Sequence, residues 1–217
     1  MNTQQARFNM VQQQIRPWDV TSDAVLNLMQ RLPRELFVPP EYAALAYADI
    51  NIPLPHHHTL LQPKVIARLL QALAIQPTDR VLEIGTGSGY LSALLGKLAK
   101  QVFSVDLHSD LSEAAHERVR SLGIHNVLFE TGDALNGWSG HAPYDVIVLT
   151  GSLPTLPDRL LAQLALHGRL AGFVGDAPAM KAVVVTRLEQ HPWATQELFE
   201  TVVPRLEHAT EPSHFVF

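Results

Sequence analysis

The 217-residue chain contains no cysteine, which excludes disulfides, thiolate metal sites and cysteine nucleophiles. Charge is scarce too: charged residues make up 17% of the sequence, below the usual quarter or so. Lys and Arg number 16 against 21 Asp and Glu, a net charge of −5. No basic excess exists to displace counterions from a phosphate backbone, so nucleic acid is not an expected partner. No run of about 18 apolar residues is present to span a bilayer, and the opening MNTQQARFNMVQQQI lacks the apolar stretch of a signal peptide. These absences predict a cytoplasmic protein with no membrane partner; oligomeric state is left open. What the chain does have is apolar residues, 47% of the total, enough for one sizeable core and too many for global disorder.

Local patterns divide the chain in two. Residues 1–62 read as a helical and extended segment packed on the rest, and residues 63–217 as one globular unit. In the first part, Thr21 or Ser22 caps a helix with Val25, Leu28, Met29 and Leu32 on one stripe. Three prolines make residues 49–63 an extended connection. Pro63 then opens a helix carrying Val65, Ile66, Leu69, Leu70 and Leu73 on one face. From residue 80, short apolar strands alternate with helices: strands at 80–84, 101–106, 126–130, 144–150 and 169–175. Helices are expected around Leu91–Leu98, at 109–122, and from Pro157 through Leu160, Leu161 and Leu164 to Gly168. Two last strands, 181–187 and 195–203, joined by a turn at His191-Pro192, predict an antiparallel end. The expected fold is α/β: a doubly wound, mostly parallel, seven-stranded Rossmann-like sheet with helices on both faces and an N-terminal helical extension.

Between the first of these strands and its helix lies Glu83-Ile84-Gly85-Thr86-Gly87-Ser88-Gly89. Glycines here permit a sharp turn and close approach of a ligand at the carboxyl end of the strand. The spacing is G-x-G-x-G rather than the G-x-G-x-x-G of a pyrophosphate binder. Carboxylates flank it: Glu83 before the glycines, Asp106 (followed by Leu107) ending the second strand, and Asp133 (followed by Ala134) after the third. A carboxylate at the second strand end can accept both ribose hydroxyls, and one after the third can take the amino group of an adenine. Three acids repel a polyphosphate but suit a cationic nucleoside such as S-adenosyl-L-methionine (SAM). Each acid alone is as readily a helix cap or a solvated loop end; their recurrence at successive strand ends is the signal.

Glu83 to Tyr90, E-I-G-T-G-S-G-Y, resembles the first motif of class I SAM-dependent methyltransferases. The wider sequence resembles the protein-L-isoaspartate O-methyltransferase family over nearly its whole length. The similar stretches are Met10-Val11, Gln14-Ile15, Asp19-Val20 and Val25-Leu26; Pro33-Arg34-Glu35-Leu36-Phe37-Val38-Pro39; Ala46-Tyr47-Ala48-Asp49; Gly132-Asp133; Ala142-Pro143-Tyr144-Asp145; Gln163-Leu164 with Gly168-Arg169-Leu170; and Val202-Val203-Pro204-Arg205-Leu206. The resemblance implies SAM as cosubstrate, with S-adenosyl-L-homocysteine as product. It implies isoaspartyl-containing proteins or peptides as substrate, and methylation of the isoaspartyl carboxylate as the start of protein repair. Glu83, Gly85, Thr86, Gly87, Ser88, Gly89, Asp106, Leu107, Asp133 and Ala134 are then the candidate cofactor residues. His58, Leu61, Val203 and Pro204 are the candidate substrate residues.

One segment departs from the family pattern. Where the family carries G-Q-T-I-S-Q/A-P, this chain reads His57-His58-Thr59-Leu60-Leu61-Gln62-Pro63. Thr59, Gln62 and Pro63 match, and Leu61 stands at the position of the family's active-site serine. Leucine donates no hydrogen bond to a carboxylate, which leaves Thr59 as the candidate catalytic hydroxyl. Two alternatives stay open on this feature: a SAM-dependent methyltransferase with another acceptor, and a non-catalytic SAM-binding protein. Adjacent histidines in an extended segment point to opposite faces, so His56-His57-His58 is read as a polar loop and no metal site is expected.

Overall fold

The computed structural model describes residues 3–189 and 193–209. The chain opens with α1 (Thr3–Asn9) and a π-helical turn over Met10–Ile15, then reaches α2 (Asp23–Arg31). Ser22 is the N-cap of α2, its hydroxyl accepting the Val25 N–H at 3.4 Å. A small antiparallel ladder, β1 (Ile52–Pro53) with β2 (Thr59–Leu60), precedes α3 (Pro63–Leu73). The Gln71 side chain of α3 ties down the N-terminal segment. Its oxygen accepts the N–H groups of Thr21 and Ser22 at 2.7 and 2.9 Å, and its nitrogen donates to the Asp19 carbonyl at 2.8 Å.

The remaining elements are β3 (Arg80–Ile84), α4 (Tyr90–Leu98), β4 (Gln101–Asp106), α5 (Ser109–Ser121), β5 (Val127–Thr131), β6 (Tyr144–Leu153), α6 (Asp158–Leu161), β7 (Leu164–Val174), β8 (Met180–Arg187) and β9 (Trp193–Thr201). They form a seven-stranded sheet in the order β5-β4-β3-β6-β7-β8-β9. The first five strands run parallel, and β8 and β9 pair antiparallel to complete the sheet. The expected fold is thus observed, with its antiparallel end. The turn expected at His191-Pro192 lies outside the described residues.

Alternate residues of the central strands enter two separate cores, as a sheet covered on both faces requires. Val81, Val146 and Val148 join Met10, Ile15, Leu69, Leu70 and Leu94 on one side. Leu82, Ile147 and Leu149 join Leu160 and Leu164 on the other. The long helices and the N-terminal segment cover the first face. The second face carries α6 and irregular chain around Leu135 and Trp138. The helix expected from Pro157 to Gly168 is only four residues long, because Leu164 already pairs with Tyr144 as the first residue of β7.

In the strand order, β4 lies on one side of β3 and β6 on the other. The connections therefore diverge at the carboxyl end of β3, which is where open α/β sheets leave a crevice.

Candidate active site

The turn after β3 is held by a chain of buried side chains. Glu83 is fully buried, and one of its oxygens accepts from the hydroxyls of Ser92 on α4 and Ser104 on β4, at 2.5 and 2.7 Å. Ser104 also lies 2.6 Å from the Thr86 hydroxyl. Burial pushes the Glu83 carboxyl up to about 8; the two hydroxyls act to lower it and the Asp106 charge to raise it further. Glu83 anchors the turn from below and does not border the cleft above it. Gly85, Gly87 and Gly89 all have positive φ, 93°, 52° and 83°, a region that other residues enter at a cost. At Gly85 space forbids a side chain as well: a Cβ there would lie 2.1 Å from the Thr150 hydroxyl. Gly89, the N-cap of α4, packs against α5, where a Cβ would meet that of Ala115 at 2.7 Å.

Above the turn lies a cleft in two lobes. The first is bordered by Gly85 to Ser88 and by Thr59, Leu61 and His58. The second is bordered by Asp106, Leu107, Asp133 and Ala134. Gly85, His58 and Leu206 border both lobes. Asp106 accepts the Gly87 N–H at 2.9 Å and the His108 N–H at 3.1 Å, so it sets both the turn and the start of α5. Asp133 accepts the Leu135 N–H at 3.0 Å and pairs with His208 at 2.8 Å, which holds its carboxyl below the usual range.

The opposite wall comes from β2 and from the tail after β9. Thr59 borders the cleft, whereas Leu61 is 3% exposed and belongs largely to the first core. The Leu61 carbonyl accepts from Nη2 of the fully buried Arg34 at 2.8 Å; Arg34 Nε donates to the Ala46 carbonyl at 2.9 Å. Arg34 thereby positions the Thr59–Gln62 segment from behind. The tail returns to the end of β6: Ser152 N–H donates to the Pro204 carbonyl at 2.9 Å, and Leu206 N–H to the Ser152 carbonyl at 3.0 Å. Pro204 borders the cleft, while Val203 is buried behind it.

Of the residues singled out from sequence, Glu83, Gly89 and Val203 support the cleft without bordering it; the others border one lobe or both. Thr150 and Gly151, within the last four residues of β6, also border it and were not singled out. Arg205, Leu206 and Glu207 were missed too. The histidine loop is not extended: His56 and His57 have φ of 57° and 59°.

Comparison with known proteins identifies the family. The model of the protein-L-isoaspartate(D-aspartate) O-methyltransferase family matches residues 5–203. The chain belongs to this family. A protein-L-isoaspartate O-methyltransferase of Koribacter versatilis is 42% identical over 181 residues, which are 83% of this chain and 81% of that protein. One from Pelobacter propionicus is 38% identical over 91% of this chain and 88% of its own. Among solved structures, a protein-L-isoaspartate O-methyltransferase superimposes with a TM-score of 0.80 and 26% identity, over 92% of this chain and 65% of that one. A Plasmodium falciparum structure described as a putative member, in complex with S-adenosyl-L-homocysteine, superimposes with a TM-score of 0.79 at 20% identity, over 95% and 99% of the two chains, and supports the fold. The chain is accordingly a methyltransferase of the protein-L-isoaspartate O-methyltransferase family. No helix among the described residues is long and apolar enough to cross a membrane.

Proposed function

We propose that the protein transfers the methyl group of SAM to the free carboxylate of L-isoaspartyl or D-aspartyl residues in proteins and peptides, the step that starts their repair. The observation that carries this reading is the two-lobed cleft on the glycine turn, with carboxylates in one lobe and Thr59 in the other. The residues suit the ligand. In this reading Asp106 accepts the ribose hydroxyls, Asp133 and Ala134 meet the adenine, and the turn from Gly85 to Ser88 lies along the amino-acid part. When bound, SAM supplies a methyl group on a sulfonium, which an ionised carboxylate attacks without a general base. The work left to the chain is alignment and exclusion of water, which can supply several kcal/mol of a barrier. Leu60, Ile66 and Leu91 give the first lobe an apolar wall, and Thr59 offers the acceptor carboxylate a hydroxyl.

The test combines two measurements. A methanol-release assay on an isoaspartyl peptide should show turnover, and calorimetry should show Asp106→Ala weakening S-adenosyl-L-homocysteine by about 1.5–3 kcal/mol. Cofactor binding with no methyl ester on isoaspartyl peptides would overturn the acceptor; undiminished binding by Asp106→Ala would remove that residue from the site.

A further inference from the structure

The histidines of the β1–β2 loop converge with two other parts of the chain. Nε2 of His58 lies 3.1 Å from Oε1 of Glu207, and Nε2 of His108 lies 3.0 Å from the same oxygen. One carboxylate oxygen from the tail thus sits between imidazoles from the loop and from the residue before α5. The ligand atoms of these three residues lie within 4.8 Å of one another. His56 stacks on the His108 ring, with centroids 3.8 Å apart and planes 4° from parallel. Its own Nε2 is 3.0 and 2.9 Å from the two oxygens of Asp110. The His108 ring is therefore held from two sides. Among the other described carboxylates, each that pairs with a histidine pairs with one: Glu130 with His141, Asp133 with His208 and Glu189 with His167.

We propose that His58, His108 and Glu207 form a binding site for a divalent cation of the zinc class, which clasps the tail to the β1–β2 loop across the cleft. Two imidazoles and a carboxylate are a donor set for Zn²⁺, Co²⁺, Ni²⁺ or Cu²⁺ rather than for Mg²⁺ or Ca²⁺, which take oxygen ligands. In a tetrahedral site with bonds of about 2.0–2.1 Å, ligand atoms stand roughly 3.3 Å apart. The two short contacts need to widen by only a few tenths of an ångström. A cation would replace the two hydrogen bonds that now join the nitrogens to the shared oxygen. His58 and His108 are each 23% exposed at the side chain and Glu207 is 38% exposed, which leaves an approach and a fourth position for water. His56 and Asp110 would orient His108, as outer partners do at metal sites. His58 and Glu207 also border the cleft, so the cation would lock the tail over it. The site is built from these five side chains and is independent of which acceptor the enzyme methylates.

The test is a titration of the full chain with Co²⁺, read by the visible absorption of tetrahedral cobalt, followed by displacement with Zn²⁺. One equivalent should bind. His108→Ala should abolish the band, and Glu207→Gln should weaken binding by roughly tenfold or more. His125→Ala, an exposed histidine elsewhere, should leave it unchanged. Circular dichroism confirms that each variant is folded, and Glu207→Gln, at an exposed carboxylate, supplies the result if His108→Ala is not. A chain that binds no stoichiometric cobalt would overturn the proposal. So would equal binding by wild type and Glu207→Gln, or an equal loss in His125→Ala.

Discussion

The wall of the cleft beneath the glycine turn and the wall facing it are fixed in different ways. The first is buried and local. Glu83, Thr86, Ser92 and Ser104 lie on β3, β4, α4 and the turn between, within 21 residues of one another, and are almost inaccessible. The second is assembled from pieces far apart in the chain: Arg34 behind Thr59 to Gln62, then a tail that reaches Ser152 and the histidine loop. Its contacts at the rim are partly exposed histidine–carboxylate contacts, which individually contribute little to stability. Added atoms collide in the buried wall at Gly85 and Gly89, whereas the facing wall combines buried parts, Arg34 and Leu61, with an exposed rim.

Gly85→Val should break that contrast most sharply. A side chain at Gly85 collides with Thr150 and occupies a strained φ. Affinity for S-adenosyl-L-homocysteine should fall by at least a hundredfold, about 2.7 kcal/mol, by calorimetry; retained affinity would show that the ligand does not lie on this turn.

Glu83→Gln tests the buried anchor. The folded chain holds this carboxyl up to about 8 against an ordinary 4.5, so the folded state binds its proton more tightly than the unfolded state. This favours the folded state fully below the ordinary value, and the benefit is lost as pH rises through 8. Wild-type stability should fall by up to a few kcal/mol across that window, at about 1.4 kcal/mol per unit. The variant should lose the slope, as urea unfolding at several pH values would reveal.

On the facing wall, Leu61→Ser removes a core side chain and should cost about 2–3 kcal/mol of stability. It also supplies a hydroxyl beside the first lobe, and isoaspartyl turnover should rise by about tenfold, near 1.4 kcal/mol of barrier. Unchanged turnover in a folded variant would show that this position does not face the acceptor. The smallest effect is expected from Thr59→Val, about a threefold to tenfold loss of turnover, within the 0.5–1.5 kcal/mol of one hydrogen bond. No loss at all would remove Thr59 from the reaction.

The buried wall was legible in the sequence because its signals are local. Apolar runs at 80–84 and 101–106, glycines between them and acids at strand ends each report their own surroundings. The facing wall was legible only in part. Thr59 and Leu61 stood out through a family pattern, but nothing near His108 or Glu207 says that they meet His58. Those contacts depend on where the tail lands after β9. The same limit explains the overlong helix at Pro157. Leu160, Leu161 and Leu164 fit one helical stripe, yet pairing with Tyr144 draws Leu164 into β7. The histidine loop was misjudged for a different reason: left-handed backbone at His56 and His57 has no local mark, since neither is glycine.

The bridge between Ser152 and Arg205 also sets an order of construction. On a ribosome, chains fold from the N-terminus as they emerge. The glycine turn and its hydroxyl anchors are complete once α4 and β4 have formed, but Pro204, Arg205, Leu206 and Glu207 leave the exit tunnel after β8 and β9. The glycine turn is thus in place long before the cleft has its second wall. A chain truncated after β9, before residue 204, would carry the whole sheet with its cleft open on one side.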